Sequence, residues 1–211
     1  MTRPLILVAA SGLAREALQA VRAGGEYEAV GFVDEDPARH GEVIDGVTVL
    51  GGLETVPRSP DTAVLLCAGS GAARASLASR LELPESRWAT VVHPGATVAP
   101  TCAVGAGSIL LAGCVLTAAV TVGRHVVAMP NVVLTHGDVV GDFATLCAGV
   151  SLGGRAQVGP RAYIGMNAGV REGRRIGADA VVGMGSVVLS DVPDHQTWVG
   201  VPAACRAEVR R

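Results

Sequence analysis

The side chains in this sequence best suited to chemistry near neutral pH are five histidines and five cysteines. The histidines are His40, His93, His125, His136 and His195; the cysteines stand at 67, 102, 114, 147 and 205. An imidazole titrates close to pH 7, so a histidine can take a proton from an attacking amine or hydroxyl. The cysteines form no C-x-x-C pair, and no base stands beside Cys147 to make it a nucleophile. They read as small buried hydrophobes of a reducing compartment. All 17 basic residues are arginine, which excludes any mechanism that needs a lysine. The formal charge of -2 gives no reason to expect nucleic acid. His136 stands alone in "VVLTHGDVVGDFATL", residues 132–146, among small, apolar and acidic residues. On spacing alone it is a base or a solvated turn residue. His40 and His195 fall in expected loops, His93 at a junction, and His125 after "VGR".

The elements that must position His136 are set by a repeat of six. Stepping from Val92 to Val188 meets 17 positions without a register break, and all are Val, Leu or Ile except Ala128. The fifth position of each hexad is mostly small, as at Ala96, Ser108, Ala144 and Ala162. Glycine follows the aliphatic residue at 105, 123, 141, 159 and 177, a spacing of 18. A helix, with its period of 3.6, is excluded. Three hexads make one triangular coil of short strands, and coils stack about 4.8 Å apart with the aliphatic residues inside. Glycine is expected at these steps because a tight corner needs its backbone freedom. The span 92–191 holds five to six such coils. Residues 88–123 carry no Asp, Glu, Lys or Arg and imitate a membrane span, but they follow the same hexads as their charged neighbours. The start, "MTRPLILVAASG", lacks the shape of a signal peptide, and a cytoplasmic location is expected.

The first ninety residues have another rhythm. "PLILVAASGLAREALQAV" and "TAVLLCAGSGAARASLASRL" each read as strand, turn and helix, and "AVGFVDEDP" as a strand ending in acids. Strands alternating with helices predict a small parallel α/β unit, which binds ligands at the carboxyl ends of its strands. The turn at Ser11 and Gly12 offers backbone N–H groups near a helix N-terminus, where a phosphate is favoured. Asp34 ends the second strand. The expected division is 1–90, a Rossmann-like α/β unit, and 91–211, an all-β solenoid with a tail.

The hexads resemble the hexapeptide-repeat acyltransferases, whose coils form a left-handed parallel β-helix. The handedness is implied by that resemblance, as are a homotrimer and acetyl-CoA bound between neighbouring helices. The order of the α/β unit, "HPGATV", the hexads, "THGDVVGDF" and "VGVPA" resembles one subfamily across nearly the whole chain. These are the sugar O- and N-acyltransferases of the sialic acid and bacillosamine acetyltransferase type. The resemblance implies transfer of an acetyl group from acetyl-CoA to a nucleotide-linked amino sugar, typically UDP-linked, with no metal. It makes His136 the general base. It assigns the acceptor to Ser11, Gly12, Leu13, Asp34, Glu35 and Gly69, and acetyl-CoA to Thr145, Gly154, Met166, Asn167 and Met184. Arg171, Arg174 and Arg175 in "REGRR" are candidates for CoA phosphates.

The departures from the subfamily leave alternatives open. Relatives often carry a polar residue, frequently His, where this chain has Leu13, and glycines where it has Ala9 and Ala14. An Asp or Glu usually follows the histidine, where this chain has Gly137. Ala204 takes the place of a basic residue near the end. O-acetylation of a sialic-acid-like sugar, and a degenerate solenoid that only binds a nucleotide sugar, remain compatible with the sequence.

Overall fold

The computed structural model describes residues 2–206; residue 1 and residues 207–211, which the expected division includes, lie outside it. The first part is built on strand β1 (Arg3–Val8), helix α1 (Gly12–Gly24) and strand β2 (Tyr27–Val33). A small hairpin, β3 (Val43–Ile44) with β4 (Val47–Thr48), precedes strand β5 (Ala63–Leu66) and helix α2 (Gly71–Leu81). The sheet is parallel in the order β2-β1-β5. Its central strand is apolar on both faces because both are covered. Leu5 and Leu7 pack with α1, and Ile6 and Val8 pack on the side of α2.

From Val91 the chain winds into a parallel solenoid of two-residue strands. Three sheets form, of six, five and eight strands; up to Val188 strands 18 residues apart pair, as in Val133–Leu134 with Ser151–Leu152. The eight-stranded sheet ends with Thr197–Val199, parallel to Val181–Val182, and Ala204–Cys205, antiparallel to Thr197–Val199. The stepped aliphatic residues from Leu110 to Val188 line one continuous core. Val92 departs from this rule. It belongs to the first coil, with no coil beneath, and is 39% exposed; Val98 and Val104 are half-buried. At the other end Trp198 and Ala203 pack against the core.

The glycine ladder exists for a different reason from the one expected. Gly105, Gly123, Gly141, Gly159 and Gly177 have no positive φ. Each lies against the backbone of the next coil: a Cβ on Gly105 would stand 2.6 Å from the Gly123 carbonyl carbon. The left-handed corner falls two residues later, at 107, 113, 119, 125 and so on to 185, in steps of six. Glycine and Asn131 or Asn167 fill part of that column, but so do His125, Phe143 and Arg161.

The uncharged run 88–123 also has a cause. Val91, Ile109 and Val127 point out of the solenoid, yet they are buried because they join the cluster beneath α1. One solenoid face is therefore apolar inside and out. No described helix is long and apolar enough to cross a membrane. Of the cysteines, 67, 114 and 147 are buried, Cys102 is half-buried, and Cys205 is exposed, against the expectation for it.

Candidate active site

His136 stands at a solenoid corner. Strand Val133–Leu134 turns Leu134 inward, Thr135 and His136 follow, and Gly137 takes φ +73° before strand Val139–Val140 begins the next face. His136 is exposed. Its ring lies over Gly154, one coil on: a Cβ there would stand 2.3 Å from Nε2. The Arg155 N–H donates to the His136 carbonyl at 2.9 Å, so the same strip also fixes the backbone. Gly154, expected beside acetyl-CoA, is thus a glycine that makes room for the imidazole.

Asp138, two residues on, is committed to the framework. It is fully buried; Oδ2 accepts the Thr135 N–H at 2.7 Å and Oδ1 the Ala156 N–H at 2.9 Å. Burial raises its pKa, and the two backbone donors work against that shift. Asp142 is turned to Arg124, 2.7 Å away.

A cleft of about 260 Å³ opens at the carboxyl ends of the α/β strands, bounded by Asp34, Glu35 and one face of α2. Asp34 closes the frame of the first turn. Its Oδ2 accepts the Ala10 N–H at 2.8 Å, its Oδ1 the Asp36 N–H at 3.0 Å, and Arg39 stands 3.6 Å away. Ala9, between them, holds φ +72°, a conformation that glycine adopts without strain and alanine does not. Glu35 is exposed and ion-paired to Arg80 at 2.5 Å, and that partner lowers its pKa. Ser11, Gly12, Leu13 and Gly69 do not line this cleft. The Ser11 hydroxyl caps α1, accepting from the Ala14 N–H at 3.2 Å and donating to the Cys67 carbonyl at 2.7 Å. The Leu13 side chain is 6% exposed in the core beneath α1, so only its backbone is available. The first-turn N–H groups of Gly12 and Leu13 have no intrahelical partner.

On the expected donor side, Met166 and Met184 are exposed on consecutive coils. Asn167 is a corner residue at φ +56°, with Oδ1 over Gly149. Thr145 departs from its expected place. It is 1% exposed at the contact between the two parts, where its hydroxyl donates to the Gly69 carbonyl at 3.1 Å. Arg171, Arg174 and Arg175 each stand within ion-pair distance of an acid, Glu172, Asp191 and Asp194 respectively.

No protein-family profile matches the chain. The fold resembles PerB from Caulobacter crescentus, solved with CoA and GDP-perosamine: TM-score 0.88, 29% identity, 97% of each chain covered. It also resembles the acetyltransferase domain of PglB from Neisseria gonorrhoeae: TM-score 0.87, 26% identity, 97% of this chain and 100% of that one. Both likenesses run over nearly the whole chain, and with them the chain resembles the bacillosamine N-acetyltransferase subfamily. In sequence, 83 residues are 38% identical to an acyl-[acyl-carrier-protein]–UDP-N-acetylglucosamine O-acyltransferase of Thiobacillus denitrificans; they cover 39% of this chain. The chain spans about a third of that relative's length.

Two arginines carry more than their sequence suggested. Arg80 faces Glu35 in the cleft. Arg74 is 0% exposed and joins α2 to the solenoid. Its position on the apolar stripe of α2, with Gly71 and Leu77, was the legible signal. Gly71 on that stripe must be glycine, because a Cβ would stand 2.3 Å from the Phe143 carbonyl oxygen.

His125 is removed from the catalytic candidates by its surroundings. Its ring stacks on Phe143 at 4.9 Å and meets Trp88 edge-on at 4.8 Å. Its Nδ1 is buried without a partner. Burial first, then Arg124 and Arg74, push its pKa down to about 4 from the ordinary 6.5. A base with a depressed folded pKa gives stability that is complete above 6.5 and is lost as pH falls toward 4. The loss amounts to about 3 kcal/mol. His125→Phe keeps the stack, and Phe143 already holds the same corner conformation. Urea midpoints measured from pH 7.5 to 4 are expected to fall less steeply in His125→Phe than in the unsubstituted protein; parallel curves would refute this.

Proposed function

We propose that the chain transfers the acetyl group of acetyl-CoA to the amino group of a nucleotide-linked amino sugar, with His136 as general base. The observation that carries this reading is the likeness to PerB with its two ligands, which runs through both the α/β part and the solenoid. The neutral amine attacks the thioester carbonyl while His136 takes a proton from it. Backbone N–H groups at the coil corners stabilise the oxyanion. The C–S bond then breaks, and CoA leaves as the thiol once a proton reaches its sulfur.

In this reading residues 1–90 hold the acceptor and the solenoid from 91 onward holds the donor. Glu35, Gly12 and Gly69 meet the acceptor, the last two through backbone. Met166, Asn167 and Met184 flank acetyl-CoA. His136, exposed at a corner, faces a neighbouring copy in a homotrimer, and the protein works in the cytoplasm.

The test is thiol release from acetyl-CoA with a panel of UDP-, GDP- and dTDP-linked amino sugars. Amine-dependent release is expected. Release only with hydroxyl acceptors would mean O-acetylation, and nucleotide-sugar binding without turnover would mean a binding protein; either refutes the reading.

A further inference from the structure

We propose that the nucleobase of the acceptor is guanine and that Glu35 and Arg80 read it. This rests on the nucleotide-sugar reading above and narrows it. The cleft has apolar walls, with Val8 and Val33 from the sheet, Leu53 from the turn after the hairpin and Leu77 from α2. Such walls suit the two faces of a flat ring. Four polar side chains line it: Asp34, whose oxygens are taken by backbone N–H groups, Ser76, and the exposed pair Glu35 and Arg80, joined by two parallel contacts of 2.9 and 2.5 Å. Both side chains are about half exposed. The pair can therefore open without leaving either charge buried. Arg80 has room to move, since it also borders an adjoining groove beside Arg58.

The edge that such a pair can accept is specific. A carboxylate takes two parallel hydrogen bonds only from two donors side by side. Guanine offers them, N1–H and N2–H. Its O6 and N7 then stand next to that edge as acceptors for a guanidinium. Uracil presents one donor between two carbonyl oxygens, so a carboxylate facing it meets two acceptors. Adenine and cytosine place a ring acceptor beside their amino group. Only guanine satisfies both oxygens of Glu35 while giving Arg80 an acceptor.

Calorimetric titration of the full chain with GDP and with UDP tests this without requiring turnover. GDP is expected to bind at least about tenfold more tightly. Glu35→Gln, which turns a donor toward N1–H or N2–H, is expected to weaken GDP about 10- to 100-fold and to leave UDP unchanged. Arg80→Met should also weaken GDP. Both positions are exposed, so unchanged thermal midpoints will show that the variants fold. UDP binding as tight as GDP, no binding of either, or equal losses for both in Glu35→Gln would each overturn the inference. Acetyl transfer to a UDP-linked but not a GDP-linked amino sugar would overturn it while leaving the proposed function standing. If no acceptor of any kind is acetylated while GDP still binds with the expected preference, the proposed function fails and the guanine assignment holds.

Discussion

Replacing His136 with alanine is expected to lower kcat for acetyl transfer about 10²- to 10⁴-fold, the usual contribution of a positioned general base. The fold should not change, because His136 is exposed and outside the solenoid core. CoA affinity and thermal midpoint should therefore match the unsubstituted protein. Gly154→Ala is the companion experiment. Its new methyl would occupy the place of Nε2, so the ring must swing away or the coil must shift. A fall in kcat with His136 still present would tie catalysis to where the ring sits. Full activity in His136→Ala would end the assignment. Gly137→Glu, which puts a carboxylate directly after the histidine, strengthens an imidazole base and should raise kcat with His136 present but not in the His136→Ala background. At φ +73° the substitution carries a backbone cost of about 1 kcal/mol, which other corner residues such as Arg155 already bear.

The solenoid was legible because its constraint repeats. Each aliphatic step contacts the same step one coil away, so a period of six is imposed on the sequence 17 times. The α/β unit was legible from its strand-turn-helix rhythm. The contact between the two parts was not legible, because it is made once and leaves no period. Ile109 and Val127 look like outward residues of an apolar run until α1 is seen above them. Thr145 looks like a solenoid surface residue until Gly69 meets it. The acceptor side was legible only in part for a related reason. Ser11 stands in the expected turn and Asp34 at the end of the second strand, but their oxygens are used to build that turn. Glu35 is left as the acid at the rim, and its partner Arg80 lies 45 residues on. The glycine ladder shows the opposite failure: the position was right and the reason wrong, since sequence alone does not separate close approach from left-handed φ.

The second large effect is expected at Arg74. A fully buried guanidinium must satisfy its donors, and this one does so without a carboxylate. Nε donates to the His125 carbonyl at 2.9 Å, Nη1 to Ala68 at 2.8 Å and Gly69 at 3.1 Å, and Nη2 to Phe143 at 2.8 Å and Ala144 at 3.0 Å. Nη2 also reaches the Thr145 hydroxyl at 3.0 Å. Burial lowers its pKa to about 10, which still leaves it charged at neutral pH. Arg74→Lys keeps a charge but has one nitrogen for acceptors on both parts, and Arg74→Met keeps the bulk and leaves the carbonyls unpaired. Either is expected to cost about 3–5 kcal/mol. The loss should be local in its first stage, because the aliphatic core of the solenoid does not include this contact. The two tryptophans distinguish the stages. Trp88 lies against His125 at the contact, while Trp198 packs at the far end of the core. In a Trp198→Phe background, Trp88 fluorescence during urea unfolding should change at lower denaturant in Arg74→Met. Trp198, followed in a Trp88→Phe background, should move less. Coincident, unshifted transitions would mean that the arginine fills space at this contact without holding it together.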